Sequence, residues 1–127
     1  MHFPDDLKYT EEHEWAKYDE SQGIITIGIT GFAQSELGDI VFLELPDIGS
    51  EAQAGEPLGT IEAVKTVADL YSPVTGTVSD VNEALDDAPE LINDDPYGKG
   101  WILKIEVSDP QELEGLLSAE KYKTLTE

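Results

Sequence analysis

At 127 residues and 39% hydrophobic, the chain is long enough for one domain with a modest core and too short for two ordinary ones, so a single domain over 1–127 is expected. Its formal charge of −21, with no arginine among the seven basic residues, repels phosphate backbones and anionic lipid. Nucleic acid and membrane surfaces are therefore poor partners, and the absence of cysteine excludes disulfides, thiolate metal sites and a cysteine nucleophile.

Basic grooves on other proteins remain good partners, and the charge favours a dispersed monomer. The same acidity also suits a salt-adapted proteome. No apolar run is long enough for a membrane span, and Met1-His2-Phe3-Pro4-Asp5-Asp6 has neither the basic flank nor the apolar centre of a signal peptide. A cytoplasmic location is expected, with the mitochondrial matrix or a plastid as the alternative if a transit peptide is missing from the sequence.

In chain order, residues 6–14 are polar and read as extended or one short turn. Trp15-Ala16-Lys17-Tyr18 and residues 23–30 read as two strands around a turn at 19–22. Residues 31–37 suit one or two helical turns, with Thr30 as N-cap and Gly38 as a left-handed stop. Residues 39–45 form the next strand, ended by Pro46, and 48–56 is a loop punctuated by Gly49 and Gly55. Residues 57–64 and 66–71 read as a hairpin, followed by a strand over 76–81, short helical turns within 82–93 and a turn-rich loop over 94–100. The final strand, 101–107, carries Trp101, Leu103, Ile105 and Val107 on one face. Asp109 then caps a helix with Pro110 at its first position, and Leu113, Leu116 and Leu117 make a core-facing stripe. A second short helix starts at Ser118. A faint echo between 38–58 and 76–91 flanks the hairpin, the trace that two quasi-symmetric halves of a flattened β-sandwich leave.

Lys65 stands at the hairpin tip. It is the only basic residue between Lys17 and Lys99, an interval that holds seventeen acidic ones. Ile61 and Ala63 alternate with Glu62 and Val64 before it, and Thr66, Ala68 and Leu70 alternate with Val67, Asp69 and Tyr71 after it. No glycine, asparagine or proline marks the tip, so the turn is of a kind that most residues tolerate, such as type I. A lone lysine here is ordinarily a solvated surface residue. A Schiff-base or general-base role needs an apolar cage or a cationic neighbour, and the sequence supplies neither. The remaining functional reading is a lysine displayed as a handle for covalent modification.

Other chemistries find little support. Residues 55–59 lack the spacing and the Gly-Lys-Ser/Thr ending of a phosphate loop. His13 has carboxylate neighbours but no second histidine at ligand spacing, His2 being terminal, so no zinc site is expected. The pairs Asp86-Asp87 and Asp94-Asp95 lack the spacing of a calcium loop, and no serine sits in a nucleophile elbow.

Glu62-Ala63-Val64-Lys65-Thr66 followed by Asp69-Leu70-Tyr71-Ser72-Pro73-Val74-Thr75-Gly76 resembles the lipoyl-lysine hairpin of the glycine cleavage H-protein family. Further blocks resemble it in the same order, among them Tyr9-Thr10-Glu11-Glu12-His13-Glu14-Trp15, Leu37-Gly38-Asp39-Ile40-Val41-Phe42, Pro89-Glu90-Leu91-Ile92-Asn93, Asp95-Pro96-Tyr97-Gly98 and Gly100-Trp101. The matching blocks span about residues 7 to 125. Ala63 departs from the usual serine and Thr66 from the common alanine.

The resemblance implies a mainly β fold: a flattened β-sandwich of the lipoyl/biotinyl (barrel-sandwich hybrid) type, with short helices, the C-terminal ones packed on the sheet. It implies a non-catalytic carrier with lipoic acid in amide linkage on Lys65. Such a carrier takes the aminomethyl group of glycine from glycine decarboxylase (P protein) to the aminomethyltransferase (T protein), and presents its dithiol to dihydrolipoamide dehydrogenase (L protein). Glu62, Val64, Thr66 and Asp69 are then expected to guide the lipoylating enzyme. Glu14 is the candidate for holding the amine of an arm folded back into a cleft, against the alternative of an exposed carboxylate. Two rival assignments stand beside this one. A biotin carrier usually places methionine on both sides of its lysine, where Val64 and Thr66 stand here. A lipoyl carrier or donor for 2-oxoacid dehydrogenases normally belongs to a longer chain.

Overall fold

Apolar residues at every second position make half-buried strands wherever Ile, Val, Tyr and Thr dominate, and the chain folds accordingly. The structure, a computed structural model, describes residues 3–126; His2 and the other two terminal residues lie outside it. The strands are β1 (Lys8–Tyr9), β2 (Glu14–Asp19), β3 (Ile24–Ile29), β4 (Ile40–Glu44), β5 (Glu51–Ala52), β6 (Pro57–Ala63), β7 (Val67–Tyr71), β8 (Gly76–Val81) and β9 (Leu103–Val107). Helices α1 (Gly31–Leu37), α2 (Ala84–Asp87), α3 (Leu91–Asp94) and α4 (Ala119–Thr126) connect or close them. Among the described residues the strands form two sheets, one of order β1-β2-β3-β9-β8-β5 and one of order β4-β6-β7. This is the flattened sandwich expected from sequence. The two echoed segments lead into β4 and β8, which lie in different sheets with the β6–β7 hairpin between them in the chain.

Apolar side chains from the inner faces fill the space between the sheets. Ile25, Ile27, Leu103 and Ile105 meet Leu43, Ile61 and Leu70 there, and all are buried. A second cluster, Phe3, Leu7, Tyr9, Trp15, Ala119 and Tyr122, seats α4 and the N-terminal segment. Within it the rings of Tyr9 and Tyr122 stack at 4.8 Å.

Several sequence expectations are corrected by this packing. The loop expected over 48–56 contains β5, because Glu51 and Ala52 find partners in Thr77 and Gly76 of β8. Trp101 precedes β9 and packs with the second cluster, while Leu103, Ile105 and Val107 face the main core. Asp109 does cap the next turn, accepting from the Gln111 N–H at 3.1 Å, but Pro110–Gly115 is a 3₁₀ helix. Its leucine stripe is split accordingly: Leu113 and Leu116 pack on the main core and Leu117 on the second cluster, where it bridges Tyr9. The Thr30 cap of α1 forms as read, its hydroxyl accepting from Ala33 N–H at 3.1 Å. Gly38 has the positive φ expected, 82°, but an extended ψ of −149°, so the chain leaves α1 directly towards β4.

Close approach of β4 to β6 sets the position of the hairpin. A Cβ on Gly59 would stand 2.1 Å from the Glu44 carbonyl oxygen, a backbone atom that cannot yield without moving β4. Gly59→Ala is therefore expected to destabilise the fold by about 3 kcal/mol or more, read as a lowered urea midpoint at unchanged slope.

Candidate functional site

The alternation predicted around Lys65 is realised along β6 and from Val67 onward in β7, whereas Thr66, read in register with Ala68 and Leu70, is exposed in the turn. Ile61 and Ala63 are buried on one side and Leu70 on the other, while Glu62, Val64, Lys65, Thr66 and Val67 are exposed. Glu62 pairs with Val67, and the Ala63 N–H donates to the Thr66 carbonyl at 2.8 Å, leaving Val64 and Lys65 as the tip. No residue of this turn has positive φ, which is why it needs no glycine.

The tip is tied to the body by one asparagine. Asn93 of α3 accepts from the Ile40 N–H at 2.9 Å and donates to the Gly38 carbonyl at 2.7 Å. The residue between them, Asp39, accepts from the Val64 N–H at 3.1 Å. Residues far apart in the chain thus fix the direction in which Lys65 leaves the sheet.

A cavity of about 270 Å³ opens beside Lys65, bounded by Val64, Gly38, Asp39 and the end of α1. It shares Glu36 and Leu37 with a larger one of about 400 Å³ that runs between α1 and the three-stranded sheet. Ile29, Phe32, Ala33, Ile61 and Ala68 give the larger cavity apolar walls, and Glu12, Glu14, Glu36 and Asp69 supply its carboxylates. An aliphatic chain suits these walls, and a cationic end suits these carboxylates.

Glu14 is only 2% exposed, the opposite of the solvated carboxylate that most glutamates are. Its Oε1 accepts from the Thr10 hydroxyl at 2.8 Å and its Oε2 from the Tyr71 N–H of edge strand β7 at 3.0 Å. Burial pushes the carboxyl from its ordinary 4.5 up to about 7; the two hydrogen bonds oppose the shift and the charge of Glu12 adds to it.

The wall beside Glu14 is held by the chain termini. His13 has φ 69°, the only positive value outside glycine among the described residues, and closes the β1–β2 turn with its N–H on the Thr10 carbonyl at 3.1 Å. Its ring lies 4.8 Å from that of Phe32. Its Nδ1 is 2.8 Å from the Tyr122 hydroxyl, which also meets the Thr30 hydroxyl at 2.7 Å. From the other side, the Tyr97 hydroxyl accepts from the Gly31 N–H at 2.8 Å and the Trp15 indole donates to the Pro96 carbonyl at 2.8 Å. The blocks around His13-Glu14-Trp15 and Pro96-Tyr97-Gly98 thus form the frame that holds α1 over the cleft.

Of the residues singled out in the sequence, Glu62, Val64 and Thr66 surround Lys65, whereas Asp69 borders the larger cavity together with Glu14. Thr10, Tyr71, Phe32 and Glu36 complete the site without having been singled out. Only Thr10 carried a local signal, a hydroxyl four residues before Glu14.

The flattened β-sandwich thus presents one exposed lysine on a braced hairpin, beside a cleft with apolar walls and carboxylates. A sequence profile described as glycine cleavage H-protein matches residues 7–127. The glycine cleavage system H protein of Bacillus cytotoxicus is 56% identical over 126 residues, covering 99% of this chain and 98% of that one. That of Bacillus subtilis is 54% identical over 127 residues, with 100% and 98% covered. The crystal structure of the glycine cleavage system H protein from Mycobacterium marinum superposes with a TM-score of 0.85 at 38% identity, covering 96% of this chain and 97% of that one. The chain belongs to the glycine cleavage H-protein family. That membership does not favour the biotin-carrier and 2-oxoacid dehydrogenase assignments.

Glu14 gives the fold a pH dependence of defined sign. Because its pKa rises from 4.5 to about 7 on folding, the folded chain holds a proton between those values that the unfolded chain has released. The stability it contributes is complete below the unfolded value and is lost as pH rises through the folded one, by up to about 1.4 kcal/mol per pH unit. Glu14→Gln retains an oxygen for the Tyr71 N–H and offers its amide to Thr10, but does not titrate. Between about pH 5 and about pH 8, urea denaturation should show the wild type losing more stability than Glu14→Gln; equal slopes would mean that Glu14 is already ionised in the fold.

Proposed function

We propose that Lys65 bears lipoic acid in amide linkage and that the chain, with no catalytic centre of its own, is the lipoyl carrier of the glycine cleavage system. The observation that carries this reading is the exposed Lys65 on its braced hairpin, beside cavities that continue through Glu36 and Leu37 to Glu14. When bound, lipoate supplies a disulfide that accepts the aminomethyl group of glycine on reduction and a dithiol that is afterwards reoxidised. The partners are then glycine decarboxylase, the aminomethyltransferase, dihydrolipoamide dehydrogenase and the lipoylating enzyme. A single carrier domain, acting as a monomer in the cytoplasm, meets these requirements.

The protein's own residues do three things in this reading. Lys65 is a tether, and the rigid turn keeps its end at a high effective concentration for whichever partner docks. Ile29, Phe32, Ala33 and Ile61 exclude water from a folded-back arm. Glu14 meets the amine at the arm's end: a cation there favours the carboxylate that burial disfavours, so a carboxyl otherwise about half protonated near neutral pH becomes the ionised acceptor of a charge-assisted hydrogen bond. Glu62, Val64, Thr66 and Asp69 form the surface that the lipoylating enzyme meets.

Intact mass of the protein from its native host, with peptide mapping across residues 57–73, tests the assignment. A lipoyl increment on Lys65, lost in a normally folded Lys65→Arg variant, is the expected result. A biotin increment, or an unmodified lysine in a host that lipoylates other proteins, would overturn it.

A further inference from the structure

The outer face of the three-stranded sheet does not look like ordinary solvent-facing β-structure. In a regular strand, successive side chains turn to opposite faces, so one of any adjacent pair is inside. β4 breaks that rule. Its register with β6 shifts between Ile40 and Phe42, and this bulge leaves Val41 and Phe42, consecutive apolar residues, 47% and 55% exposed. Phe42 stands opposite Glu62, and Glu62 opposite Val67, so the three form one row across the sheet on the strand beside Lys65. Val67 is 58% exposed and Val64, at the tip itself, 69%. The next row, Glu44, Thr60 and Asp69, adds carboxylates. Exposed apolar residues interleaved with carboxylates, Glu62 between Phe42 and Val67 and Glu44 and Asp69 beyond them, have the anatomy of a protein-docking surface, and bulges recur where a strand re-aims side chains for such a purpose.

The occupant follows from distance and charge, given the reading of Lys65 as a modified lysine, on which this inference rests. An enzyme that acts on the dithiolane, at the far end of a long arm, has no need to touch the hairpin. An enzyme that acts on Lys65 Nζ must close over the tip to within one lysine side chain, and so covers Val64, Val67 and, across the ladder, Phe42. Glu62, between the two apolar residues, requires a basic side chain within its contact surface, and Glu44 and Asp69 require others beside it. We infer that the outer face of β4-β6-β7, centred on Phe42 and Val67, is the docking surface for the lipoylating enzyme. The bond made there joins Nζ to the carbonyl carbon of a lipoyl adenylate, itself formed from lipoate and ATP with release of pyrophosphate; the acyl–phosphate bond breaks, and AMP and one proton leave.

The test uses the unmodified full-length protein with a purified lipoate–protein ligase, lipoate and ATP, followed by intact mass. Phe42→Ser and the near-isosteric Val67→Thr are compared with wild type and with Ile48→Ser, which alters an exposed apolar residue in the loop before β5. Expected is a KM for the carrier raised about tenfold in Phe42→Ser and severalfold in Val67→Thr, with kcat within about twofold, thermal midpoints unchanged and Ile48→Ser like wild type. The ligase's Kd for each protein should move in parallel with KM. If wild type is lipoylated on Lys65 and both variants match it in KM and Kd, the docking surface is refuted while the carrier assignment stands; so too if the variants instead impair only the aminomethyltransferase reaction. If wild type takes no lipoyl group, the assignment fails and the inference with it.

Discussion

A carboxyl group enclosed in protein, with no cationic partner among the described residues, is the constraint around which this molecule is arranged. Glu14 gives up water and receives two hydrogen bonds, from the Thr10 hydroxyl and the Tyr71 N–H. Those bonds oppose but do not cancel the cost of burial, which is why its carboxyl sits near 7. Such a group persists only if its surroundings are over-determined, and they are. His13, immediately before it, is held in a left-handed conformation by ring contact with Phe32 and by the Tyr122 hydroxyl. The outcome is a cleft with apolar walls and one concealed acid.

Rigidity on both sides of the cleft comes from different materials. The hairpin side is a β-ladder closed by the near contact of Gly59 with Glu44, with its tip fixed through Asn93 and Asp39. The helix side is held at α1 by polar tips of aromatic residues: Tyr97 at Gly31 and Tyr122 at Thr30. Aromatic rings that are buried and also hydrogen-bonded fix direction as well as distance, which aliphatic packing alone does not. The separation between Lys65 and Glu14 is thereby a property of the whole fold.

Much of this was legible in the sequence because the signals are local. The alternation along β6, the Thr30 cap, the strand read over 23–30 and found at Ile24–Ile29, and the Asp109-Pro110 start each depend on a few adjacent residues. What escaped depends on partners far along the chain. β5 is a strand only because β8 lies beside it, Trp101 leaves the expected face because a second apolar cluster receives it, and the leucine stripe divides between two cores. The burial of Glu14 is the clearest case: the N–H that accommodates it belongs to Tyr71, 57 residues later. No window of sequence around Glu14 contains that donor.

The brace at Tyr122 also has a consequence in time. Its bond to His13 joins residues 109 positions apart, and its ring stacks on Tyr9. During synthesis the residues of the β6–β7 hairpin are made well before residue 122, so the far wall of the cleft is the last to gain its support. Contacts of such long sequence separation also carry a larger loop-closure cost than local ones. The two sides of the cleft are thus set in order by the chain itself: the residues of the hairpin are made first, and the brace on the opposite wall is made last.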